Sequence, residues 1–237
     1  MCTVTVVPHA GGVRLMSNRD ERRTRSAALP PQTFALDGRL AAFPVDPAGG
    51  GTWIGVNDSG LVVTLLNVHD GQLRDTAARL PSRGQIVRAL LSCASIPETL
   101  AAASRIDARR FAPFRLLVVE RRTIAVSRWS DAARLDWSFA SLVEPLLFSS
   151  SSLGDRLVEP VRRRLFQRMM ATGSAGWPDA QARFHRHQWR ARPEVSVRME
   201  RPDALTVSRT TVDVTSAIRF LTYQSLTGVA ATHEVTL

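Results

Sequence analysis

The chain of 237 residues contains no lysine, and its basic charge is carried entirely by arginine. Schiff-base chemistry and lysine nucleophiles are therefore excluded, as is the phosphate-binding loop that ends in Gly-Lys-Ser/Thr. Cysteine occurs only at Cys2 and Cys93, too few for a disulfide framework, and a reducing cytoplasm is the expected setting. Asparagine occurs three times, at Asn18, Asn57 and Asn67, all in the first third. No run approaches the eighteen or so apolar residues of a membrane helix. A secretory signal is not expected, because the short apolar run Cys2 to Val7 is stopped by Pro8.

What is present is a chain 44% hydrophobic, enough to bury a sizeable core in one domain spanning residues 1–237. The net charge of +10 raises nucleic acid as a partner. The arginines are scattered and accompany abundant alanine, a compositional bias rather than a recognition stripe, so neither nucleic acid nor membrane is expected. Five histidines, of which only His185 and His187 are close in sequence, complete no ligand pattern with Cys or carboxylates. No metal and no cofactor is expected.

The first half reads as hairpins. Cys2–Val7 is short and β-branched, Gly11-Gly12 turns the chain, and Val13–Arg19 returns. Residues 20–48, with Pro30-Pro31, read as a long surface loop. Thr52–Asn57 and Leu61–Asn67 flank Asp58-Ser59-Gly60 as a second hairpin. Ser82 is placed to cap a helix over Arg83–Cys93, and Pro97 to open another over Glu98–Ser104. Strands follow at Phe114–Glu120 and Thr123–Trp129, then a helix over 155–171 whose Arg162 to Arg164 run suits a solvated face. Residues 174–193 read as irregular, with strands at Val195–Glu200, Leu205–Val212 and Ile218–Tyr223. Antiparallel hairpins interrupted by helical pairs predict a layered α+β fold.

Chemistry concentrates at the start. Removal of the initiator methionine, favoured before a small residue, would leave Cys2 with a free α-amine beside its thiol. The amine titrates near 7.7–8.0 in model peptides and can act as a base, and the thiol, at about 8.5, is already a good nucleophile. If the first two strands pair, the ends far from their turn carry Cys2 and the tetrad Asn18-Arg19-Asp20-Glu21 together. A guanidinium beside a thiol stabilises the thiolate, and a carboxylate can orient both. Asn57, within Asn-Asp-Ser-Gly, suits a turn. Asn67 ends a strand, where its amide could donate to an oxyanion.

The opening Met1-Cys2-Thr3, the tetrad Asn18-Arg19-Asp20-Glu21, and the block from Gly50 to Asn67 resemble the NRDE family, also called the transport and Golgi organisation protein 2 family. Pro81-Ser82-Arg83-Gly84 and the strand Phe114–Glu120 extend the resemblance. That family is in turn similar to cysteine N-terminal-nucleophile (Ntn) hydrolases of the choloylglycine hydrolase and penicillin V acylase type. The resemblance implies a four-layer αββα sandwich with antiparallel sheets. It implies Cys2 as nucleophile, Arg19 and Asp20 as electrostatic partners, Asn67 as oxyanion donor and Arg209 as a late arginine, leaving open whether Asp20 or Glu21 plays the acidic part. Asn18, Glu21, Trp53 and Ser150 are the candidate substrate contacts; Ser150 lies in a serine run, Ser149 to Ser152, where both groups tend to have asparagine. Two activities fit: hydrolysis of a small-molecule amide or thioester, or non-catalytic binding of haem, lipid or acyl-CoA.

Overall fold

The computed structural model describes residues 2–69, 80–129, 136–228 and 230–237. Two antiparallel sheets face each other. The first has six strands in the order β10-β1-β2-β11-β12-β13: Leu146–Ser149, Cys2–His9, Gly12–Arg22, Ala204–Thr215, Arg219–Ser225 and Thr232–Thr236. The second has seven in sequence order, β3 to β9: Leu29–Leu36, Arg39–Val45, Ile54–Asn57, Leu61–Asn67, Phe114–Glu120, Thr123–Trp129 and Trp137–Ser141.

The strand period of two assigns each side chain to a layer. On β6, Val62 faces the first sheet and packs with Leu15, Val212, Val119 and Ile124. Its neighbours Leu61, Val63 and Leu65 face outward, where α1 (Gly84–Leu90) and α2 (Ile96–Ala103) cover them with Ile86, Val87, Leu90 and Ile96. The outer face of the six-stranded sheet is covered by α3 (Asp155–Met170) and α4 (Trp177–Arg186), whose Leu165, Phe166, Ala180 and Phe184 pack with Leu147 and Val197. The result is an αββα sandwich, as expected. Among the described residues no helix is long and apolar enough to cross a membrane.

Several local expectations are corrected. Residues 20–48 are not one loop: they continue β2 and build β3 and β4. Pro30-Pro31 fits there because β3 is a sheet edge, and its pairing with β4 shifts register between Leu29 and Gln32, so no ladder bond is demanded of the prolines. The helix after Ser82 begins at Gly84 and ends at Leu90, and the Ser82 hydroxyl accepts from the Gly84 N–H at 3.3 Å. Arg162 is fully buried, not solvated. Residues 177–186 are helical, and the strand expected from Val195 to Glu200 is a 3₁₀ turn and irregular chain. Strands β9, β10 and β13 had no sequence counterpart.

Candidate active site

The β1–β2 hairpin sets Cys2 directly across from Arg19, and Thr3 across from Asn18. Alternation then splits the tetrad. Arg19 and Glu21 line a cleft of about 500 Å³ with Cys2, Trp53, Asn67 and Arg83. Asn18 and Asp20 turn to the opposite face, under α3 and α4.

On the cleft side an ion network surrounds Arg19. Its Nη2 lies 3.3 Å from Glu21 and 3.4 Å from Asp46. Arg25 bonds Asp46 and sits 3.8 Å from Glu21. The Arg19 guanidinium lies 4.4 Å from the centre of the Trp53 ring, an attraction that fixes its plane as well as its charge. Asp46 is positioned by a tight loop: its N–H donates to Gly51 O at 2.9 Å, and its carbonyl accepts from Gly50 N–H at 2.8 Å. A side chain at Gly51 would lie 2.3–2.6 Å from the backbone of Gly84 and Gln85, so the close approach of that loop to α1 requires glycine.

Cys2 is 6% exposed. Burial pushes its thiol above the ordinary value, the carboxylates of Asp20 and Glu21 act in the same direction, and Arg19 opposes them. The resting sulfur is therefore a thiol that must give up its proton to react. Its carbonyl accepts from the Ser150 N–H at 2.9 Å. The Ser150 hydroxyl is buried beside the start of β1 with no partner among the described residues, although Ser150 does not line the cleft. Asn67 lines the same cleft as Cys2. Met1, whose removal was expected from the sequence, lies outside the described residues.

Behind the sheet the polar groups are committed to structure. The Asp20 carboxylate accepts from Thr206 Oγ1 at 2.6 Å and lies 3.9 Å from Arg162. Burial raises its pKa, while Arg162 and Thr206 pull it down. Asn18 Nδ2 donates to the carbonyls of His185 and Val197 at 2.9 and 3.0 Å. Burial, with Arg209 and Arg162 nearby, lowers the His185 pKa to about 3, so the ring is neutral at pH 7. Asn18 Oδ1, 3.0 Å from His185 Nδ1, accepts that proton, leaving Nε2 to accept from Thr5 Oγ1 at 2.7 Å.

Four expected site residues, Asn18, Asp20, Ser150 and Arg209, are thus not in the cleft. Asn18 is spent on the helical layer. Arg209 pairs with Asn18 across β2–β11 and donates to Gln224 Oε1 at 3.1 and 2.8 Å. A register shift between Thr206 and Ser208 puts Ser208, not Arg209, across from Arg19. Asp20 sits close behind Cys2 rather than beside it, while Glu21 reaches the cleft. Three charged cleft residues had not been singled out as site residues: Arg25, Asp46 and Arg83. Arg83 sits in a motif shared with the family, which was the available signal; Arg25 and Asp46 lay in the stretch read as loop. Among the described residues no three His, Cys, Asp or Glu side chains gather to hold a metal.

A family model described as "Transport and Golgi organisation 2" matches residues 1–170. No curated protein sequence matches significantly. Among solved structures, the chain is similar to the Caenorhabditis elegans ortholog of N-acylethanolamine-hydrolyzing acid amidase, with TM-score 0.66 and 16% identity over 89% of this chain and 92% of that one. It is also similar to penicillin V acylase from Agrobacterium tumefaciens (0.59, 11%, 100% and 86%) and to a conjugated bile acid hydrolase from Clostridium perfringens (0.57, 12%, 99% and 92%). At these identities the likeness shows the Ntn-hydrolase-like fold.

Proposed function

The chain belongs to the transport and Golgi organisation 2 family, and from that premise we propose that it is a cysteine hydrolase of small-molecule amides or thioesters. The observation that carries the reading is Cys2 set across from Arg19 in a cleft that also presents the Asn67 amide. With Met1 removed, the Cys2 α-amine takes the thiol proton as Sγ attacks the substrate carbonyl. The new C–S bond leaves charge on the carbonyl oxygen, which the Asn67 amide stabilises by donation. Arg19 favours the thiolate on the way. The amine returns the proton to the departing nitrogen or sulfur as the C–N or C–S bond breaks. Water, deprotonated by the same amine, then attacks the thioester, releasing the acid and restoring the thiol. The three similar structures carry the names of an acid amidase, a penicillin V acylase and a conjugated bile acid hydrolase, in support of this class. Two free buried cysteines suit a cytoplasmic setting.

The placement of Arg209 outside the cleft favours a second reading, non-catalytic binding of a lipid, acyl-CoA or haem. Among the described residues no histidine lines the cleft, and Cys2 is the haem ligand that the described lining offers. The deciding experiment screens amide and thioester libraries with wild type and Cys2→Ala, reading acyl-enzyme by mass. Turnover with an adduct on Cys2 supports the hydrolase. Binding without adduct or turnover in either protein supports the carrier and overturns the hydrolase.

A further inference from the structure

The described side chains of the Cys2 cleft do not balance in charge. Arg19, Arg25 and Arg83 face Glu21 and Asp46. Arg19 and Arg25 share both carboxylates. Arg83 donates through Nη1 to Pro113 O at 2.8 Å and has no carboxylate partner among the described residues. Its stem is anchored by the close contact of the Gly49–Gly51 loop with Ser82 and Gly84, so the charge is fixed in place. Burial lowers the Arg83 pKa, and the field of Glu21 opposes this only from beyond ion-pair distance; a half-buried cation with no ion pair among the described residues carries a desolvation cost that a bound anion would relieve. A second group in the same cleft also waits for a partner: Trp53 is 7% exposed, and its indole N–H has no acceptor among the described residues.

We propose that Arg83 is a specificity-determining residue that receives an anionic group of the substrate, a carboxylate or a chemically equivalent oxyanion, while Cys2 attacks its amide or thioester. This deepens the hydrolase reading and rests on it for the word substrate. Neutral acyl donors of the same size are then poor ligands. Arg19 does not share the task, because Glu21, Asp46 and the Trp53 ring already occupy it.

The test needs no native substrate. The full chain is modified with N-propylmaleimide, 3-maleimidopropionic acid and 6-maleimidohexanoic acid, and the rate at Cys2 is followed by peptide mass, with Cys93 and a free thiol as references. The expected result is a preference of about tenfold for one or both acids over the neutral reagent, relative to the free thiol, from local charge focusing. Added salt should reduce it less than it would an exposed pair. The preference is lost in Arg83→Gln and kept in Arg83→Lys. An equal ratio in wild type and Arg83→Gln, or no preference in wild type, overturns the proposal, including the case where Arg83→Gln slows all three reagents alike through a loss of structure. Should no reagent modify Cys2, the nucleophile reading fails by itself, and calorimetry with adipate decides the anion site. Binding heat lost in Arg83→Gln supports it, and no heat in wild type overturns it.

Discussion

Replacing Arg162 by methionine should destabilise the protein more than any exposed arginine substitution, although the side chain volume is nearly kept. The guanidinium is fully buried and donates four hydrogen bonds: to Val195 O at 3.1 Å, Ser196 O at 2.7 Å, Thr3 Oγ1 at 2.7 Å and Ser149 Oγ at 3.1 Å. It also lies 3.9 Å from the buried Asp20 carboxylate and opposes the burial that raises the pKa of that group. The two hydroxyls can rotate to other partners; the two carbonyls and the carboxylate cannot. Breaking a buried ion pair by removing one member costs about 3–5 kcal/mol, and the orphaned carbonyls lie within that range. For a chain of this size about 1 kcal/mol lowers the melting temperature by about 2–4 °C, so a fall of roughly 10 °C is expected. Urea midpoints at constant m-value give the free energy. Burial raises the Asp20 pKa despite Arg162, so losing Arg162 raises it further. Relative to wild type, the loss in Arg162→Met should therefore be smallest at acid pH and grow as pH rises through the folded pKa of Asp20, and adding Asp20→Asn should remove that pH-dependent difference. A loss under about 1 kcal/mol, the scale of a surface substitution, would refute the reasoning.

Three other outcomes follow from the same geometry. The folded His185 resists protonation with a pKa of about 3. Its contribution is complete above the unfolded value near 6.5 and is lost as pH falls toward about 3, at about 1.4 kcal/mol per pH unit, a slope that His185→Gln should abolish in urea titrations. Asn67→Ala should lower kcat about 10²–10³-fold on a substrate found in the library screen, with KM little changed and the melting temperature within a few degrees of wild type. Gly51→Ala should cost about 1–3 kcal/mol by driving the loop from the backbone of Gly84, and should slow modification of Cys2, read by melting and by mass.

The hairpin bearing Cys2 and the tetrad was legible because Cys2–Val7 is β-branched and Gly11-Gly12 marks its turn. Strand parity then decided what the motif alone could not. Arg19 and Glu21 enter the cleft while Asn18 and Asp20 leave it, and one register shift beside Val207 moved Arg209 to the wrong face. Helix α4 was hidden because its buried side includes Gln181, whose Nε2 donates to Thr5, and His185, whose ring meets Asn18 and Thr5, so no apolar period is written in it. Arg162 was misread for a similar reason. Three consecutive arginines on α3 look alike in sequence, and only the one facing Asp20 and the β1–β10 seam is buried. The paired strands around Pro30-Pro31 escaped because proline argues against a central strand and β3 is an edge.

The central claim is that Cys2 is a processed, reactive nucleophile. Intact mass before and after brief, limiting alkylation at neutral pH, with peptide mapping, tests it most directly. The account predicts a chain lacking Met1 in which Cys2 is modified much faster than Cys93 and than a free thiol. A retained Met1, or a Cys2 that reacts no faster than an ordinary thiol, would contradict it.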